Sequence, residues 1–157
     1  MVAFVKNDAY KKEQTIEINL SQELPTITLD RQQMKQVFIN LLFNAIQSTP
    51  AKGKISIITR KRAKTNGPTE FIQVEVSDTG VGIPEEDLEK IFTPFFTTKA
   101  KEEGSGLGLA MTHQIIEEHE GTIDVQSKIN QGTTFTINLP VNPLIFKQNK
   151  SDAQNLH

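Results

Sequence analysis

Two asparagines, Asn40 and Asn44, stand four positions apart in the apolar run VFINLLFNAIQ, residues 37–47. On a helix that spacing puts both amides on one face, with Gln36 a turn earlier and Gln47 or Ser48 a turn later. An amide buried without partners costs about 1–3 kcal/mol, so this stripe needs something to bond. On the pair alone two readings stand open: bonds to nearby backbone or water, or an oxygen site for a hard cation such as Mg2+ that itself holds phosphate oxygens.

Three further stretches carry chemistry. In DTGVGIP, residues 78–84, Asp78 follows a strand. An ionised Asp only accepts hydrogen bonds, which suits an exocyclic amine such as that of adenine and repels the carbonyl of guanine. Gly80 and Gly82 remove side chains, which lets a flat ring approach backbone, though such glycines also serve ordinary turns. In EKIFTPFFTTK, residues 89–99, Phe92, Phe95 and Phe96 read as a core cluster under a loop. Lys99 opens the stretch KAKEEGSG, where a cation could meet phosphate or stay solvated. Last, GSGLGLA, residues 104–110, places Gly104, Gly106 and Gly108 at alternate positions ahead of a helix. Exposed N–H groups at a helix N-terminus form an anion site able to seat a triphosphate; a flexible helix cap is the plain alternative. The spacing is neither a P-loop nor the dinucleotide GxGxxG.

The elements that must position these residues follow from periodicity. Residues 2–13 read as the tail of a helix, and TIEINL (15–20) alternates Ile16, Ile18 and Leu20 as a half-buried strand. Asp30 with Gln33 three places on is a capping box for a helix to about Gln47, stopped by Ser48, Thr49, Pro50 and Gly53. Strands 54–60 and 71–78 flank the turn-rich KTNGPTE, and a short acidic helix opens at Pro84. A main helix from Leu107 to about His119 ends at Gly121, and strands 122–127 and 133–140 close the domain. Strands that alternate need one covered face, so the expected fold is a two-layer α+β sandwich.

At 157 residues one domain is expected. A net charge of −2 leaves no electrostatic footprint for nucleic acid, and no apolar stretch approaches the roughly 18 residues of a membrane span. The opening MVAFVKNDAYKKEQ lacks the order of a signal peptide, so a cytoplasmic location is expected. With no cysteine, a disulfide framework, thiolate metal sites and thiol nucleophiles are excluded.

In this order, QVFINLLFNA, DTGVGIP, IFTPFF and GSGLGLA resemble the N, G1, F and G2 boxes of the catalytic and ATP-binding domain of two-component sensor histidine kinases. That domain sits in the ATPase superfamily shared with gyrase, the Hsp90 chaperones and MutL. The resemblance spans about residues 14–140, and NAIQ with PFFTTK is most similar to the nitrogen-regulation and sporulation sensors. It implies a Bergerat-type fold: a mixed sheet of about five strands with three main helices on one face. It also implies an ATP–Mg2+ pocket. Asn44 would hold the metal, Asn40 would support it near the phosphates, Asp78, with Gly80 and Gly82 beside it, would bind adenine, and Thr133, after Gly132, would help that Asp through water. A lid over residues 97–105, with Gly104, Gly106, Leu107 and Gly108 at its far end, would close on the triphosphate. Gln47 stands where many sensor kinases carry a phosphate-contacting Lys, a role Lys99 would take over.

Asn40 stands where hydrolysing members resemble one another in a water-activating Glu. An amide is no general base, so the resemblance implies transfer of the γ-phosphoryl group to a histidine by positioning and charge neutralisation. In the family that histidine lies in an H box on a separate dimerisation domain, which His113, His119 and His157 do not match. Residues 1–13 then resemble the end of a dimerisation helix, 14–141 the catalytic domain and 142–157 a frayed polar tail. The implied partners are an H-box domain, its own or in trans, and indirectly a response regulator. A homodimeric full-length protein, a monomeric fragment inactive alone, and no nucleic acid or membrane contact complete the expectation. A non-catalytic ATP-sensing module, or an ATPase or serine kinase of the same superfamily, are the alternatives.

Overall fold

The computed structural model describes residues 9–63, 70–97 and 105–141. The KTNGPT turn, Lys99, Gly104, most of the expected lid and the polar tail lie outside the described residues. The elements run β1 (Thr15–Leu20), α1 (Arg31–Ser48), β2 (Lys54–Ala63), β3 (Glu70–Asp78), α2 (Glu85–Leu88), α3 (Gly108–Glu118), β4 (Thr122–Lys128) and β5 (Gly132–Pro140). They form one five-stranded sheet in the order β1-β2-β3-β5-β4. β1 pairs parallel with β2 across the α1 crossover and every other pairing is antiparallel, so the sheet is mixed.

Alternation decides which face is covered. Ile72, Val74 and Val76 of β3 and Phe135, Ile137 and Leu139 of β5 point into the core, where Val37 and Leu41 of α1 and Ile116 of α3 meet them with no exposed surface to speak of. Each such side chain contributes about 1.5–3 kcal/mol. One more step of the same alternation sets Asp78 and Thr133 on that face, and they are register partners. A polar pair therefore ends the apolar stripe, between the sheet and the helices.

Several details depart from the sequence expectation. Among the described residues two helices are long, while α2 is a single turn of four residues and residues 9–11 end a helical turn. β1 is less buried than its alternation implies: Ile16 packs on the core, but Ile18 and Leu20 are 43% and 58% exposed. It is an edge strand, and alternation reports a shared face without saying whether a helix covers it. The capping box is half formed. Asp30 Oδ1 accepts from the N–H groups of Gln32 and Gln33 at 2.8 and 2.9 Å, but the Gln33 side chain goes to Glu118. His119 takes the other half, its Nε2 accepting the Asp30 N–H at 3.0 Å while Nδ1 lies 2.8 Å from the Ile115 carbonyl. His119 thus pins the start of α1 to the end of α3.

The opposite end of α1 is held by the entering chain. Gln14 Nε2 donates to the carbonyls of Ile46 (3.0 Å) and Thr49 (2.6 Å), Lys12 Nζ reaches Ile46 O at 3.0 Å, and Ala9 is buried in the core. These are carbonyls that a helix end leaves unpaired. Gln14→Ala should lower stability by about 1 kcal/mol, the low side of the usual range because its Oε1 is buried without a partner among the described residues. A urea titration should show a lower midpoint at unchanged slope, whereas an unmoved midpoint would mean that the cap is idle.

Candidate functional site

A cavity of about 680 Å³ opens where α1, the loop after β3 and the start of α3 converge on the polar end of the sheet. That volume suits a small-molecule ligand of nucleotide size. Asn40, Asn44 and Gln47 line one wall, each one turn or less from the next along α1, and Asp78 and Thr133 line it from β3 and β5. Ile83, Ile91, Phe96 and Leu109 supply apolar surface for a flat ring.

Asp78 is 9% exposed, with its Oδ1 accepting the Gly80 N–H at 2.8 Å. Burial pushes its carboxyl above the ordinary Asp value, and backbone hydrogen bonds from Gly80 and Thr133 pull it partly back. It is the one ionisable group among the described residues of the cavity wall.

Asn40 is held by three hydrogen bonds within the protein. Its Oδ1 accepts from Gln36 Nε2 at 2.9 Å, and its Nδ2 donates to the Gly108 carbonyl at 3.0 Å and to Thr112 Oγ1 at 3.3 Å. Its amide therefore braces α1 against the first turn of α3 as well as lining the cavity. Asn44 lines the cavity one turn on, and Ser48 Oγ bonds its backbone carbonyl at 2.7 Å.

The glycines divide in role. Gly82, Gly106 and Gly108 line the cavity, as expected for a backbone that a ligand approaches. Gly80 does not line it: a Cβ there would lie 2.6 Å from Ser48 O and 2.7 Å from Asp78 Oδ1, so its bareness serves the packing of the loop against α1. Leu107 is 38% exposed and off the cavity wall, where it forms the N-cap of α3 without a side-chain hydrogen bond. The first N–H groups of α3 thus have no side-chain cap from Leu107, and Gly106 and Gly108 put that helix end at the cavity.

The aromatic triplet splits. Phe92 packs on the core beside Phe135 and His113, and Phe96 faces the cavity, but Phe95 is 75% exposed with a φ of 66°. Its N–H is committed to the Gly106 carbonyl at 2.9 Å, and that backbone bond turns the ring outward. Sequence reasoning also passed over Thr112, which receives Asn40, and Ser127, which contacts Thr133. Thr112 had one legible signal, its place four residues after Gly108 on the helix face that carries the glycine.

A family model described as "Histidine kinase-, DNA gyrase B-, and HSP90-like ATPase" matches residues 29–143. The chain belongs to this family. The histidine kinase relatives include the sensor histidine kinase ZraS of Escherichia coli K12, 44% identical over 138 residues, which are 88% of this chain and 28% of ZraS. Sporulation kinase E of Bacillus subtilis is 37% identical over 89% of this chain and 17% of its own length. The chain thus spans under a third of these relatives. Among solved structures, the catalytic domain of histidine kinase ThkA matches with a TM-score of 0.74 at 36% identity, covering 88% of both chains. Full-length ShkA in complex with AMPPNP matches with the same TM-score at 28% identity, over 88% of this chain and 28% of ShkA. The fold of this ATPase family member is therefore that of the histidine kinase catalytic domain: a five-stranded mixed sheet under helices.

Proposed function

We propose that the cavity binds ATP with Mg2+ and that the domain passes the γ-phosphoryl group to a histidine on a phosphoacceptor domain in two-component signalling. The observation that carries this reading is the employment of the polar wall. Asp78 is buried as an acceptor at the sheet end, and Asn40 is a neutral amide, tied to Gln36, Gly108 and Thr112, with no basicity to take a proton from water. No described wall residue is a general base positioned on the α1 side, which favours a nucleophile brought by a partner over hydrolysis.

The wall also fits the metal. Asn44, with Gln47 and Ser48 beside it, offers neutral oxygen donors, the kind that Mg2+ accepts when phosphate oxygens complete its shell. Among the described residues no three His, Cys, Asp or Glu side chains gather into a site that could hold a metal alone. Bound Mg2+ would neutralise charge on the phosphates. Asn44 would hold it, the α3 N-terminus and the Gly106–Gly108 backbone would take phosphate oxygens, and Asp78 would take the adenine amine. The incoming histidine nitrogen bonds to the γ-phosphorus, and the bridging P–O bond breaks with its electron pair leaving on ADP.

On this reading residues 1–13 end a dimerisation helix, 14–141 form the catalytic domain, the whole protein works as a homodimer, and a response regulator receives the phosphoryl group next. His113, set against Phe92 and 3.3 Å from Glu117, and His119, bonded to Asp30, have structural employment. In a titration of the chain, ATP should bind more tightly with Mg2+ than with a chelator. Asn44→Ala should erase that gain, a loss of about tenfold or more in affinity for the ATP–Mg2+ pair. A variant that keeps the full Mg2+ gain would remove Asn44 from the metal.

A further inference from the structure

Ser127 of β4 lies opposite Thr133 of β5, and its hydroxyl sits in a small closed network. Ser127 Oγ accepts the Ile83 N–H at 2.8 Å, contacts the Gly132 carbonyl at 3.0 Å and lies 2.8 Å from Thr133 Oγ1. A serine has one proton to donate. The Gly132 carbonyl can only accept, so the Ser127 proton goes there; spending it on Thr133 would leave two lone pairs facing each other at 3.0 Å. Thr133 must then donate its own proton to Ser127. What Thr133 has left to offer the cavity it lines is lone pairs.

We propose that Ser127 is a positioning residue that fixes the Thr133 hydroxyl as an acceptor, so that Asp78 and Thr133 together select a base bearing an amino group over one bearing a carbonyl. Asp78 alone would discriminate only while ionised, whereas Thr133 held by Ser127 cannot turn its proton toward a carbonyl at any pH. Without Ser127 the Thr133 hydroxyl rotates, donates into the cavity and accommodates the carbonyl. The same Ser127 oxygen anchors Ile83, an apolar wall residue, so the polarity of the site and the position of its loop are set by one atom.

This inference rests on the ATP reading above, and the test separates the two. ATP and inosine triphosphate, which carries a carbonyl in place of the adenine amine, are titrated against the chain and four variants. The unmodified chain should prefer ATP by about tenfold or more. Ser127→Ala should lower that ratio several-fold, Ser127→Thr should restore it, and in a Thr133→Val background Ser127→Ala should leave the ratio where Thr133→Val put it. Equal weakening of both nucleotides by Ser127→Ala, with the ratio intact, would reduce Ser127 to a structural residue and overturn the inference. Should Ser127→Ala not fold, an unchanged ratio in Thr133→Val overturns it equally. Failure of the unmodified chain to bind ATP would instead overturn the nucleotide reading itself.

Discussion

Asp78→Asn should weaken ATP binding by about 10- to 100-fold while the domain stays folded and melts no lower than the unmodified chain at neutral pH. The loss follows from polarity. An amide keeps the shape of the carboxylate and can still accept from the Gly80 N–H, but it presents a donor where the adenine amine also donates. The stability follows from burial, which raises the Asp78 carboxyl above its unfolded value despite the two backbone donors. A folded state that holds the proton more tightly than the unfolded one is favoured at low pH, and this contribution is lost as pH rises through the raised value. Above it the folded protein carries an unfavourable buried charge that Asn removes. Binding has the opposite sign: the ionised form is the acceptor, so ATP affinity should fall on acidification, beginning at a higher pH than an ordinary carboxylate would give. Calorimetric titration of both proteins between neutral and mildly acid pH reads the two effects together. Undiminished affinity in the variant would detach Asp78 from the base.

Gly132→Ala should destabilise the domain strongly, by about 3–5 kcal/mol. Gly132 has a φ of 100°, where an L side chain is strained, and an added Cβ would fall 1.9 Å from the Asp78 carbonyl oxygen and 2.9 Å from Thr79 Cα. Backbone cannot yield as a side chain tip would. Relief requires β5 to move off β3 at the pairing of Asp78 with Thr133, so nucleotide affinity should fall with stability. Gly108→Ala is the control, since its Cβ would meet Asn40 Cγ at an ordinary 3.6 Å. Comparable urea midpoints for the two variants would contradict the geometry.

The strands were legible because period-two alternation is local, and so were the cavity's own residues. Asn40 and Asn44 declare themselves as amides set into an apolar helical run and Asp78 as a carboxylate at the end of an alternating strand, while Thr133 followed from the family resemblance. What could not be read was what those side chains meet. Asn40 bonds groups 68 and 72 residues away, and His119 completes the cap at Asp30 from 89 residues away. The exposure of Ile18, Leu20 and Phe95 is likewise set by sheet order and by one turn of backbone near Gly106, neither of which leaves a periodic trace. The polar stripe that called for a partner in VFINLLFNAIQ turned out to hold two kinds: Asn40 braces a neighbouring helix, and Asn44 faces the cavity.

Whether this cavity gives its phosphoryl group to a histidine or to water is read directly by one assay. The chain is mixed with a purified H-box dimerisation domain and γ-labelled ATP with Mg2+, and the acid-labile phosphate on that domain is followed alongside free phosphate. Label should appear on the H-box histidine, with one ADP for each phosphohistidine and little phosphate release when the H-box domain is left out. ATP bound by the chain with no label reaching histidine, or rapid phosphate release by the chain alone, would rule out transfer to histidine.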